Sequence, residues 1–154
     1  MKAVVQRVKN ASVSVNGHIR GSITYGFLVY LGVALEDCEK DADWLAEKIA
    51  CLRIFDDAEG KMNLSIKDAA ALTETDPEIL VISQFTLLGD VQKGRRPSWA
   101  KAAPPEKAKQ LYEYFMLKIR EQGLRCESGE FQAYMQVSYT NDGPVTILLD
   151  SRNC

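Results

Sequence analysis

The sequence predicts an α+β fold: a single domain over residues 1–154, with a mixed or antiparallel, barrel-like β-sheet and two main amphipathic helices. Three observations lead there. Strand-like segments greatly outnumber helical ones, and turn signals of hairpin type join several of them. Only two segments carry apolar residues at helical spacing over several turns. The length, 154 residues, suits one domain that buries about 68–70% of the surface its unfolded chain exposes, and no repeat or linker-like stretch divides it.

Taken in order, residues 2–15 alternate in part, with Val13 and Val15 interleaved by Ser12 and Ser14, and end at Asn16-Gly17, a strong hairpin signal leading into a second strand. Residues 23–35 carry Tyr25, Phe27, Val29, Leu31 and Val33 at period two, which predicts one long central strand. Trp44, Leu45, Ile49 and Leu52 recur at helical spacing behind an acidic first turn, so the first helix faces the core. Arg53-Ile54-Phe55 suits a brief strand, residues 56–61 a loop, and Ser65-Ile66-Lys67-Asp68 a short helical turn. Residues 79–82 form an uninterrupted apolar strand. Pro104 and Pro105 open a second helix with Ala108, Leu111, Tyr112, Phe115 and Ile119 on one stripe, and Gly123 closes it. Strands follow at 124–126, 132–140 and 145–150, the last two separated by the turn residues Asn141-Asp142-Gly143-Pro144.

Composition narrows the function. Apolar residues at 46% and charged residues at 26% describe an ordinary globule, and the net charge of −2 argues against a general nucleic-acid glue. A local basic run does occur, Lys93-Gly94-Arg95-Arg96, which suits either a solvated loop or phosphate contact. No apolar run approaches the roughly 20 residues of a membrane span, and Met1-Lys2-Ala3-Val4 opens directly into strand sequence, so a cytoplasmic protein is expected. Cys38, Cys51, Cys126 and Cys154 lie far apart with one histidine, His18, to join them, so free thiols are expected, Cys38 and Cys154 exposed, with neither metal nor cofactor.

The most telling stretch is residues 79–90, where the apolar strand ends abruptly in three hydrogen-bonding side chains, Ser83, Gln84 and Thr86. Polar groups at a strand's exit are held rigidly beside a cleft. No triad, G-x-S-x-G elbow or H-E-x-x-H motif accompanies them, so Ser83 and Thr86 offer hydroxyls without an activating partner in the sequence.

Ser83-Gln84-Phe85-Thr86-Leu87 together with Asn141-Asp142-Gly143-Pro144-Val145-Thr146 closely resembles the two signature motifs of the D-aminoacyl-tRNA deacylases. The likeness runs from Met1-Lys2-Ala3-Val4-Val5-Gln6-Arg7-Val8 through Lys93-Gly94-Arg95-Arg96-Pro97-Ser98 to the last strand, and so covers nearly the whole chain. One departure shows: where such proteins carry Gly-x-Phe-Gly-Ala-x-Met, this chain has Gly129-Glu130-Phe131-Gln132-Ala133-Tyr134-Met135.

The resemblance implies hydrolysis of D-aminoacyl-tRNA, and of glycyl-tRNA, with rejection of L-aminoacyl-tRNA. It implies that Ser83, Gln84, Phe85 and Thr86 hold the substrate largely through main-chain atoms, with Phe85 and Thr86 N–H groups near the developing oxyanion and the RNA's terminal 2′-hydroxyl taking part. It implies a homodimer in which Gly143-Pro144, held cis and braced by Arg7, enters the partner's site and blocks an L side chain. Phe131 and Met135 then cradle the terminal adenine, although by themselves both read rather as ordinary strand core, and Ala133 and Arg7 are counted with them as substrate-binding positions. Lys93, Arg95 and Arg96 are weaker candidates for tRNA phosphate contact. An end-binding module for RNA or DNA without catalysis, on the same fold, is the alternative, and a serine esterase using Ser83 and His18 a third reading.

Overall fold

A bent first strand organises the molecule. The computed structural model describes residues 1–72 and 76–153. β1 (Lys2–Val15) runs antiparallel to β3 (Gly26–Gly32) with its first half and to β2 (His18–Ile23) with its second, while β8 (Gln136–Asp150) lies antiparallel along its other edge. β6 (Glu78–Ser83) adds parallel to β3, and β7 (Arg125–Ser128) parallel to β6. The sheet curls until β2 nears β7: a Cβ on Gly21 would lie 2.6 Å from the Ser128 carbonyl oxygen. It is therefore a mixed, nearly closed barrel.

Side-chain alternation divides the apolar residues between two cores. Val8, Ala11, Val13, Ile23, Leu28, Leu80 and Ile82 fill the curl. Val5, Phe27, Val29, Leu31, Ile79 and Val81 face the opposite way, onto the helices α1 (Glu39–Cys51) and α3 (Pro105–Glu121). Those helices present Leu45 and Ile49, and Leu111, Phe115 and Ile119, as their spacing predicts. Pro105 stands at the first turn of α3, where its missing N–H has no partner to lose.

Several boundaries differ from the sequence reading. The expected strand over 23–35 is broken at Thr24 and Tyr25, because Ile23 ends β2 and Gly26, with φ of 134°, starts β3. A Cβ there would sit 2.0 Å from the Glu78 carbonyl oxygen, so β3 and β6 meet only around a glycine. The brief strand falls at β4 (Phe55–Asp56) and pairs with β5 (Met62–Leu64). Ser65 caps α2 (Ile66–Ala70), its hydroxyl oxygen accepting from the Asp68 N–H. The strand expected at 124–126 falls at 125–128. Cys38 is exposed, as expected; Cys154 lies outside the described residues.

The largest correction concerns the C-terminal strands. Residues 132–140 and 145–150 do not form two strands around a reversing turn: β8 keeps its direction along β1 from Gln136 to Asp150. Between the pairs Val8 with Asn141 and Gln6 with Thr146, the β8 backbone bulges outward over four residues opposite the single residue Arg7. Residues 129–135 form a turn before the strand.

Candidate active site

The exit of β6 and the turn before β8 lie side by side, and between them opens a cavity of about 530 Å³. Ser83, Gln84 and Phe85 form one wall and Phe131, Gln132, Ala133, Tyr134 and Met135 another, with Ala102 and Ala103 from the segment before α3 and Pro105 and Tyr112 from α3 itself completing the lining. The floor is rigid for a chemical reason. Tyr112 is buried, its ring packs 5.7 Å from that of Phe131, and its hydroxyl donates to the Val81 carbonyl at 2.8 Å. Burial pushes its pKa up, so the phenol stays neutral and remains a donor.

The wall from β6 turns at once into a 3-10 helix, Phe85–Leu88. Gln84 donates its own N–H to the Leu31 carbonyl, which fixes the turn to β3, and its side-chain amide donates to the Thr86 hydroxyl. The first N–H groups of a helical turn have no partner within it. Those of Phe85 and Thr86 have no acceptor among the described residues; Phe85 lines the cavity, and Thr86 follows it in the turn without lining it. Such donors can stabilise a developing oxyanion without a nucleophilic side chain. Among the described residues none of those lining the cavity is a base that could activate the Ser83 hydroxyl, and His18 is exposed at the start of β2 and takes no part in the lining.

Gln132, which stands where the resemblance expects glycine, adopts φ of 64°. A non-glycine residue in the left-handed region costs about 1–2 kcal/mol, yet the turn keeps the form that a glycine would take. Gly129 explains its other end: a Cβ there would lie 2.5 Å from the Met135 sulfur, so its bare Cα makes room for Met135 in the wall.

Arg7, Gly143 and Pro144 lie apart from this cavity. The Gly143-Pro144 peptide is cis, and both residues are exposed on the β8 bulge. Arg7 is buried beneath them at 6% exposure. Its guanidinium donates to the Ile54 carbonyl at 2.7 Å and meets the carboxylates of Asp56 at 3.2 Å and Asp142 at 3.3 Å. One cation thus ties the bulge to the α1–β4 connection. Lys93, Arg95 and Arg96 are exposed on a loop beyond the 3-10 helix.

Sequence reasoning singled out Gln132 as a departure from the motif but missed Tyr112 and Tyr134 as lining residues and Asp142 as a partner of Arg7. The apolar stripe of α3 contained Tyr112 and the turn motif contained Asp142, but neither pattern says what a side chain will face. Among the described residues no group of His, Cys, Asp and Glu could hold a metal, and no helix is long and apolar enough to cross a membrane.

Comparison with known proteins places this geometry. The sequence model of a family described as D-Tyr-tRNA(Tyr) deacylase matches residues 4–150. The D-aminoacyl-tRNA deacylase of Koribacter versatilis is 59% identical over 152 residues, 99% of this chain and 98% of its own. That of Thermosipho melanesiensis is 58% identical over 153 residues, with the same coverage. Among solved structures, the c-Myc DNA Unwinding Element Binding Protein superposes with a TM-score of 0.87 at 44% identity, covering 97% of this chain and 98% of that one. A probable eukaryotic D-amino acid tRNA deacylase shares the fold with a TM-score of 0.81 at 17% identity, over 96% of this chain and 97% of its own. With the match running through both walls of the cavity and the β8 bulge, the chain belongs to the D-Tyr-tRNA(Tyr) deacylase family of hydrolases.

Proposed function

We propose that residues 1–154 form one catalytic domain that hydrolyses the ester of D-aminoacyl-tRNA and of glycyl-tRNA and rejects L-aminoacyl-tRNA. The observation that carries this reading is the Phe85 N–H, without an acceptor among the described residues, at the edge of a cavity walled by Phe131, Ala133 and Met135, with the Thr86 N–H next to it in the same turn. An aminoacyl ester is already activated, so the site need only position it, admit water and stabilise the oxyanion. Water adds to the carbonyl carbon, the two N–H groups bind the negative oxygen, and the bond to the ribose oxygen then breaks, that oxygen taking a proton as the acid leaves. The RNA's terminal 2′-hydroxyl assists beside it. One oxyanion donor contributes about 2.7–4 kcal/mol. Ser83 and Gln84 hold the amino end, and the terminal adenine rests against Phe131 and Met135.

A D and an L residue share every functional group, so discrimination must be steric. Gly143-Pro144 projects from the β8 bulge, exposed and away from its own chain's cavity, with Arg7 locked behind it. In a homodimer it serves as a wedge in the partner's cavity, filling the space an L side chain needs. Such a wedge leaves room for glycine, which accounts for glycyl-tRNA as a substrate. Comparing tyrosine release from D-tyrosyl-tRNA and L-tyrosyl-tRNA tests the reading: the D ester is cleaved and the L ester spared, and equal cleavage of both refutes it.

The relative named for binding a DNA unwinding element, together with the absent triad, favours a second reading, an end-binding module on this fold. Binding to charged and uncharged ends alike, with no turnover of either ester, would select it.

A further inference from the structure

On the reading proposed above, the cavity takes one aminoacylated nucleoside, and a tRNA brings an unpaired strand behind it. Two aromatic side chains stand together beside the cavity. Phe85 at the cavity's edge is 56% exposed, and its ring meets that of Trp99, 41% exposed, edge to face at 5.1 Å between centroids. The indole is held from below, because a Cβ on Gly89 would come within 2.7 Å of it.

Behind the pair rises a closed finger. Asp90 and Ser98 exchange two backbone hydrogen bonds of 2.9 Å each, and Lys101 donates to the Asp90 carboxylate at 2.7 Å. Residues 91–97 are thereby pinned at their base. Lys93, Arg95 and Arg96 project from the finger, all exposed, and none pairs with a carboxylate among the described residues. Aromatic faces beside unneutralised cations are the usual means of holding single-stranded nucleic acid, the rings stacking on bases and the cations following phosphates. On a chain whose net charge is −2, this concentration of free positive charge is local.

We propose that Phe85 and Trp99 form a stacking platform for the unpaired nucleotides that precede the terminal adenosine, with Lys93, Arg95 and Arg96 holding their phosphates. This rests on the tRNA reading of the cavity and extends it: recognition covers the single strand as well as its last residue. The cavity thus selects the ester, and the finger selects an ester carried on RNA.

The test compares two D-tyrosyl esters, one on tRNA and one on adenosine alone. Trp99→Leu, which keeps an apolar side chain over Gly89, lowers the ratio of kcat/KM on tRNA to kcat/KM on adenosine by about tenfold, through KM. Replacing Lys93, Arg95 and Arg96 by Gln, at exposed positions that do not bear on folding, makes KM for tRNA less dependent on salt, by a log–log slope of up to about 2. A ratio unchanged within twofold, or an unchanged slope, overturns the platform. Conversion of a dimer to monomers by Trp99→Leu also overturns it, since the face would then belong to a second copy. Wild-type protein that cleaves neither ester overturns the deacylase reading itself, and the platform with it.

Discussion

Phe85 carries two separable contributions, a ring and an N–H, and substitutions can divide them. Phe85→Leu keeps the N–H and removes only the ring; turnover of the adenosine ester is expected to stay within about tenfold of wild type, the scale of one lost apolar contact. Phe85→Pro removes the N–H as well. Proline is tolerated at the first position of a helical turn, and Gln84, at φ −142° and ψ 81°, lies outside the α region that a following proline disfavours. The proline variant is therefore expected to fold with unchanged circular dichroism and to lose about 10²–10³ in kcat, the cost of one oxyanion donor. If leucine and proline variants turn over equally, the Phe85 N–H has no part in the chemistry.

Among elements, the contact that closes the barrel leaves little room. β2 approaches β7 at Gly21, whose missing Cβ leaves room for the Ser128 carbonyl 2.6 Å away and Leu80 at 3.1 Å. Gly21→Ala forces those strands apart and is expected to cost about 1–3 kcal/mol, read as a lower urea midpoint with an unchanged slope. An unchanged midpoint would mean that the barrel gapes there. Nothing in residues 18–23 announced this contact, because a close approach between strands distant in sequence leaves only a glycine behind. Local patterns were legible wherever one neighbour set them: the period of α1 and α3, the Asn16-Gly17 turn, the Ser65 cap, the polar exit of β6. They misled where a second strand overrode them. Asn141-Asp142-Gly143 has the chemistry of a reversing turn, yet β1 offers a continuous partner edge on both sides of it, so the chain bulges and proceeds. The long alternation over 23–35 likewise hides a break at Thr24 and Tyr25, after which the chain resumes along β1 in the same register and takes β6 on its other edge. The cavity's polar wall was readable from Ser83 to Thr86; its floor, Tyr112, was not, since a tyrosine on a helix stripe reads as core and here is core and floor together.

At the scale of the whole molecule, the proposed homodimer raises the question of which chain's Gly143-Pro144 would guard which cavity. Arg7→Met removes the donor to the Ile54 carbonyl and the ion pairs to Asp56 and Asp142, at a cost of about 1–3 kcal/mol for the orphaned buried carbonyl, and frees the bulge behind Gly143-Pro144. Its pocket side chains are intact, so it is expected to cleave the D ester and to begin cleaving the L ester. Phe85→Pro is the complementary defect, a silent cavity with a sound bulge. Refolding the first variant with an excess of the second puts nearly every Arg7→Met chain in a mixed dimer. If the wedge crosses the interface, each working cavity now receives an intact wedge from its Phe85→Pro partner: cleavage of the L ester falls toward zero while cleavage of the D ester per Arg7→Met chain persists. If the wedge acts within its own chain, the partner's bulge is irrelevant, and both activities per Arg7→Met chain are the same before and after mixing. Self-complementary pairing of this kind, one patch meeting itself, gives each dimer two identical sites that depend on both chains. Persistence of L cleavage in the mixed dimer would therefore remove the crossed wedge while leaving the hydrolytic cavity in place.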